Sequence, residues 1–275
     1  MARPKSYYFI ILLLLGMKGA MLLILIRNFG LSRNRTKRNM RKYILCLLAM
    51  CCQLSFAAPV DSLVVKTDSS DVRHQVLIKT TMGDITVELY NETPRHRDNF
   101  LRLAREGYYD GNLWHRVISD FMIQTGDSTT RHAAPGAEVG GYSPNWTLPA
   151  EIRFPKYFHK RGALGAAREG DAENPKRESS ASQFYIVWGF PYGPKGMAKF
   201  QARLDSTTNG AVKFPPEMCD YYWSHGGTPW LDGQYTVFGE VVKGLSVVGD
   251  IDTVATDERD RPVNDVRITK MIVIK

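Results

Sequence analysis

The chain has 275 residues, 44% of them hydrophobic and 23% charged, and a formal net charge of +8. Residues 1–58 hold 10 of the Lys and Arg and no Asp or Glu, so the remaining 217 residues carry −2 of that charge. The basic balance therefore belongs to a leader and gives no support to nucleic-acid binding by a body large enough for one substantial core.

The leader contains two apolar stretches. Tyr7–Ile26 is long enough to span a bilayer but is interrupted by Lys18. Met40-Arg41-Lys42 then precedes an apolar run from Tyr43 to Phe56 and the small residues Ala57-Ala58. A positive flank, fourteen apolar residues and a small-x-small end at Ser55 and Ala57 read as a signal peptide over 40–57, cleaved after Ala57 or, as second choice, after Ala58. The run is short for a bilayer span of about 20 residues. A signal peptide that begins 39 residues inside the chain points to Met40 as the true start, with 1–39 an upstream extension. The alternative is a membrane helix with Arg27–Lys42 held on the cytoplasmic side. Cys46, Cys51 and Cys52 lie in the leader, which leaves Cys219 alone in the body and no intramolecular disulfide. Lipid attachment at Cys51 or Cys52 is disfavoured by Met50 and Cys51 as preceding residues. The expectation is export across the inner membrane to the periplasm as a soluble protein, with anchoring through the N-terminal segment as the alternative.

Residues 58–74 read as a polar tether. Val76–Thr80 and Ile85–Leu89 alternate as two strands around the Met82-Gly83-Asp84 turn. Thr93 is placed to cap a helix with Pro94 at its first position, Phe100, Leu103 and Ala104 on one face, and Gly107 at its end. Further strands follow, closing with Val266–Ile274. Many strands with one or two helices suggest a closed barrel, an arrangement that removes exposed edges.

The run Trp114-His115-Arg116-Val117-Ile118-Ser119-Asp120-Phe121-Met122-Ile123-Gln124-Thr125-Gly126-Asp127 sets an arginine beside alternating apolar and polar positions. Residues two apart share a face of a strand, so a charged fork, an aromatic ring and a thioether can line one surface suited to a small ring with a carbonyl nearby. The run resembles the core motif of the cyclophilins, the peptidyl-prolyl cis-trans isomerases. Ser182-Gln183-Phe184-Tyr185-Ile186 resembles the family's second active-site strand, and Trp230-Leu231-Asp232-Gly233-Gln234-Tyr235-Thr236-Val237-Phe238-Gly239-Glu240-Val241 its third signature. The resemblance is bacterial-like and covers about 75–275. It implies a mainly β fold, a closed eight-stranded antiparallel barrel capped by two helices, the second near Gly244–Ile251. The chain departs from a minimal member by an insertion at about 190–228, in which Pro216–His225 is expected to form a short aromatic-rich helix ended by Gly226-Gly227.

Rotation about a prolyl bond needs no nucleophile, metal or cofactor. The barrier of about 18–20 kcal/mol is amide resonance, and in the twisted transition state the proline nitrogen gains a usable lone pair. A donor aimed at that nitrogen acts more strongly in the transition state than in the ground state, as catalysis requires. Arg116 is the candidate catalytic donor. The resemblance makes Gln183 its catalytic partner, holding the substrate carbonyl or orienting Arg116, with Gln124 behind it. It makes Phe121, Met122 and Leu231 the walls of a proline pocket, with Trp230 on the rim. Tyr185 stands where many members have phenylalanine and Tyr235 where many have histidine, so altered edge chemistry is expected. Gly162-Ala163-Leu164-Gly165-Ala166-Ala167-Arg168 resembles the strand that binds the substrate backbone, with Arg168 in place of a common asparagine. His115 is expected beside Arg116, in the substrate-binding set and not as a base.

Taken alone, Trp114, Phe184, Ile186, Val237 and Phe238 read as core. The six histidines show no metal-ligand spacing, and Gly193-Pro194-Lys195-Gly196 lacks the full phosphate-loop pattern. The implied partners are proline-containing polypeptides and cyclosporin-type cyclic peptides, with no nucleic acid and membrane contact only through a retained leader. The implied task is folding of exported proteins. The competing class is a low-activity binding module for proline-containing segments or partner proteins, kept open by Arg168, Tyr185, Tyr235 and the insertion.

Overall fold

The computed structural model describes residues 72–275. The two apolar stretches, Met40, the cleavage site after Ala57 and most of the tether lie outside the described residues. Among those described, no helix is long and apolar enough to cross a membrane.

Among the described residues, ten strands and four α-helices follow one another. β1 (Gln75–Thr80) and β2 (Gly83–Leu89) form a tight hairpin paired from Gln75↔Glu88 to Thr80↔Gly83. Thr80 closes its turn, its hydroxyl donating to the Gly83 carbonyl at 2.7 Å and accepting from the Met82 N–H at 3.0 Å. Helix α1 (Pro94–Arg105) buries His96, Phe100, Leu101, Leu103 and Ala104. Thr93 holds the expected N-cap position, yet its hydroxyl donates to the Tyr90 carbonyl and does not cap. The cap is Glu151, whose carboxylate accepts from the N–H groups of Arg95 (3.2 Å) and His96 (3.0 Å), satisfying donors that the first turn leaves open.

After β3 (Arg116–Ile118), β4 (Met122–Thr125), β5 (Thr147–Leu148), β6 (Ala163–Ala166), β7 (Ser179–Ser180) and β8 (Phe184–Val187) come α2 (Pro194–Thr207) and α3 (Pro216–His225). The chain ends with β9 (Val237–Lys243), α4 (Leu245–Asp252) and β10 (Ile268–Val273). Eight strands form one antiparallel sheet in the order β10-β1-β2-β9-β6-β8-β4-β3, and β5 pairs with β7 apart from it.

The sheet is an open half-barrel, which corrects the expected closure. Its outermost strands, β3 and β10, do not pair. The two edges meet at a single bridge, Leu113↔Arg267, just ahead of both strands. β3 is only three residues long and ends at a turn in which Asp120 has φ 58°, so it cannot offer β10 a ladder. Loop backbone satisfies the edge instead: Trp114 N–H donates to Val266 O at 2.9 Å and Val117 N–H to Asp260 O at 2.8 Å.

The central strands are buried on both faces, and their side chains alternate between two cores. Ile123, Leu164, Phe184, Ile186 and Phe238 face the main core, where the expected capping helices α1 and α4 add Phe100, Leu103, Val248 and Ile251. Phe184 meets Phe100 at 5.2 Å and Trp114 at 5.9 Å, both edge to face, contacts worth about 0.5–1.5 kcal/mol each beyond their buried area. Met122, Ala163, Tyr185, Val187 and Val237 face the other side and, with Phe121 and Leu231, form a second cluster. Helices α2 and α3 are additional to the expected pair. They build a third cluster around Met197, Met218 and Tyr222, and α3 occupies Pro216–His225 and ends at Gly226, as the sequence predicts.

Candidate active site

Period-two alternation brings one row of side chains across the sheet. Arg116 on β3 stands opposite Gln124 on β4, Gln124 opposite Tyr185 on β8, and Tyr185 opposite Gly165 on β6. Gly165 is required there. A Cβ at that position would lie 2.3 Å from Cζ of Tyr185, so the ring crosses the neighbouring strand only because that strand carries no side chain.

A groove of about 610 Å³ opens over this row. It is lined by ten of the twelve residues singled out from the sequence: Arg116, Gln124 and Gln183, the apolar Phe121, Met122, Ala167 and Leu231, and Arg168, Tyr185 and Tyr235. His115 and Trp230 do not line it.

Arg116 is half-exposed. Its Nη1 donates to Gln124 Oε1 at 3.3 Å and its Nε to Asp260 Oδ2 at 3.4 Å, an ion pair whose partners are both about two-fifths exposed. Such a pair adds little stability. It aligns the guanidinium without enclosing it, and among the described residues Nη2 makes no hydrogen bond. Gln124 Nε2 in turn donates to Gln183 Oε1 at 2.8 Å, and Gln183 Nε2 donates to the carbonyls of Gly140 and Tyr142, both at 2.9 Å. Two carbonyls can be met only by the NH₂ end of Gln183, which fixes the direction of every bond back to Arg116. The expected order is therefore reversed. Gln124 orients Arg116 directly, and Gln183, with both amide hydrogens engaged by backbone, supports it from behind.

His115 is only 4% exposed and lies under the loop at Gly140, where a Cβ would stand 2.7 Å from its ring. Burial pushes its pKa down to about 4, against the Asp127 carboxylate and with the Arg116 charge. The expected substrate contact is corrected: a neutral imidazole packs beneath the groove floor.

Tyr185 presents its ring to the groove while its hydroxyl runs away from it, to His159 Nε2 at 2.9 Å. The polar tip expected to change the pocket edge is thus spent in the interior, and burial raises this phenol well above its ordinary range. Tyr235 does change the edge. Among the described residues its hydroxyl has no partner, and its ring stacks under the Arg168 guanidinium at 4.2 Å. The Arg168 side chain is 3% exposed, paired with Asp171 at 2.7 Å and bonded to Gln234 O at 3.0 Å, so it braces Tyr235 and is not offered to a ligand.

Trp230 packs between Phe121 (5.5 Å) and the insertion side chains Phe200 (5.2 Å) and Tyr192 (5.9 Å). The expected rim position is covered by helix α2. Thr147, Glu169, Glu173 and Glu178 also line the groove, though no motif singled them out. The signal available was the charged, glycine-punctuated run that follows Ala167.

The family model for the cyclophilin type peptidyl-prolyl cis-trans isomerase/CLD matches residues 75–273. A Staphylococcus aureus (strain COL) protein assigned as a peptidyl-prolyl cis-trans isomerase is 36% identical over 201 residues, 72% of this chain and 91% of the relative. One from Staphylococcus haemolyticus is 34% identical over 203 residues, 72% and 90% of the two chains. Among solved structures, a Cryptosporidium parvum cyclophilin type peptidyl-prolyl cis-trans isomerase aligns with TM-score 0.51 and 22% identity, over 74% of this chain and 99% of that one. The same parasite enzyme crystallised in the presence of the dipeptide Ala-Pro aligns with TM-score 0.50 at 23% identity, over 73% and 99%. These two likenesses speak for the fold. The chain belongs to the cyclophilin-type peptidyl-prolyl cis-trans isomerase family and is an isomerase.

Proposed function

We propose that this isomerase turns X-Pro bonds in exported polypeptides by donation from Arg116 to the proline nitrogen. The observation that carries this reading is Arg116 itself, aligned by Gln124 and Asp260, with a free guanidinium edge on a groove whose other wall is Phe121, Met122 and Leu231. The apolar wall takes the proline ring, and the fixed fork meets the nitrogen as conjugation is lost. Gln124 and Gln183 are positioning residues, and the Tyr235 hydroxyl is the polar contact that the groove offers a bound peptide. A module that only binds proline segments would tolerate an Arg116 locked in a buried ion pair. The half-exposed geometry favours turnover.

The leader pattern supports export to the periplasm. N-terminal sequencing of the protein from its native envelope is expected to give Ala58, or Pro59 if cleavage shifts by one. Recovery of residues 1–39, or of a lipid-blocked Cys51 or Cys52, contradicts soluble export and leaves the chemistry untouched. Cyclosporin-type peptides are expected to bind weakly, because helix α2 covers Trp230 and Tyr235 replaces a polar contact. The folding role is tested on an exported substrate whose refolding is limited by proline isomerisation. The protein should shorten the slow phase and leave the fast phases unchanged, and an unchanged slow phase counts against the role.

A further inference from the structure

Four side chains that share no sequence motif form one buried chain of hydrogen bonds beneath the groove. Tyr222 on α3 donates its hydroxyl to Asp232 Oδ2 at 2.6 Å. Asp232 Oδ1 accepts from the backbone N–H of His159 and faces its Nδ1, both at 2.8 Å. His159 Nε2 meets the Tyr185 hydroxyl at 2.9 Å. Asp232 and Tyr222 are 0% exposed, His159 1% and Tyr185 5%. A carboxylate oxygen can only accept, so the imidazole proton sits on Nδ1. In the neutral imidazole Nε2 then accepts, and the Tyr185 hydroxyl donates. The bonds converge on Asp232 from both ends, with no donor facing a donor.

The two ends of this chain lie in different parts of the molecule. Tyr222 belongs to the third cluster, built by the insertion. Tyr185 faces the groove, and Asp232 directly follows Leu231, part of the groove's apolar lining. A phenylalanine at 185 would fill the same space over Gly165 without needing any of these partners. The hydroxyl therefore serves the connection and not the packing. Burying a carboxylate, an imidazole and two phenols is costly unless every member is bonded, and here each one is.

We infer that Tyr222 is a positioning residue for the proline groove, acting through Asp232 and His159 to fix the Tyr185 ring and the Leu231 wall at the spacing a proline ring fills. The inference rests on the groove being the proline site, and it gives the insertion a task in the reaction. Because the relay sets the wall and not the donor, it acts on substrate binding. Its loss raises KM and spares kcat.

The test is a double-mutant cycle in the full-length protein with Tyr222→Phe, Tyr185→Phe and the double variant. KM and kcat are measured on a proline tetrapeptide, Kd for the same peptide by calorimetry, and Tm by circular dichroism. Each single variant should raise KM and Kd about fivefold, ~1 kcal/mol, with kcat within about twofold. The double variant should also stay near fivefold and not approach the about 25-fold of independent sites. Unchanged KM and Kd, or additive losses, would overturn the inference, as would losses that only follow a falling Tm. If the wild-type protein binds the peptide without accelerating its exchange, the isomerase mechanism fails and the cycle in Kd still decides the relay. If the wild-type protein binds no peptide, both fall.

Discussion

Gln124 Oε1 accepts a hydrogen bond from Arg116 Nη1 at 3.3 Å, while Nε2 of the same amide donates to Gln183 Oε1 at 2.8 Å. One side chain thus passes a fixed polarity from the loop carbonyls of Gly140 and Tyr142 to the cation at the groove. The direction is dictated at the far end, because those carbonyls accept only donors.

This order separates the two glutamines experimentally. Gln124→Leu should lower kcat about tenfold, ~1.4 kcal/mol, with KM little changed, because it frees the donor and leaves the apolar wall intact. Gln183→Leu should lower kcat and also raise KM, since it releases the loop that forms one edge of the groove. Steady-state kinetics of the two variants check the split.

The crossing of Tyr185 over Gly165 is a packing prediction. Gly165→Ala places a methyl group where the ring now lies, so it should destabilise the fold by about 1–3 kcal/mol and weaken peptide binding as the ring is displaced. Denaturant midpoints and calorimetry give the two numbers.

Asp252 on α4 is buried, and its Oδ2 accepts from the Asp120 N–H at 2.9 Å, in the turn that leads into Phe121. Burial raises its pKa to about 6, with the Asp120 N–H opposing the rise. A carboxyl whose pKa is higher folded than unfolded stabilises most below the unfolded value, and that contribution is lost as pH rises through the folded value. The stability of the wild type relative to Asp252→Asn should therefore decline between about pH 4 and 6, by up to about 3 kcal/mol, and level off above. Thermal melts of both proteins across that range check the sign.

His115 has the opposite sign. Its pKa is lower folded, at about 4, so its contribution is full above the unfolded value near 6.5 and is lost as pH falls toward 4. Nitrogen NMR of the imidazole should show no protonation above about pH 5.

Much of the fold was legible because it rests on local periodicity. β1, β2, α1 and α3 lie within a few residues of where alternation, Pro94, Gly107 and Gly226 place them, and α4 lies where the family resemblance implied a second cap. The row Arg116, Gln124, Tyr185 was legible through the family resemblance, which implied all three at the site. What escaped depends on groups far apart in sequence. Glu151 caps a helix from 55 residues away, and His159 finds Asp232 across 73. The length of β3, which keeps the half-barrel open, is set by the Asp120 turn and not by propensity. The covering of Trp230 by Phe200 is tertiary, and nothing in the insertion's composition announces which of its aromatic residues packs on that ring.

The central claim is that Arg116 supplies the transition-state donor, and the direct measurement is prolyl exchange of a tetrapeptide by the wild-type protein beside Arg116→Ala. The account predicts that kcat falls about a thousandfold, ~4 kcal/mol, while KM stays within a few fold, because the proline wall is untouched. Equal rates for the two proteins, or a loss confined to KM, would contradict it.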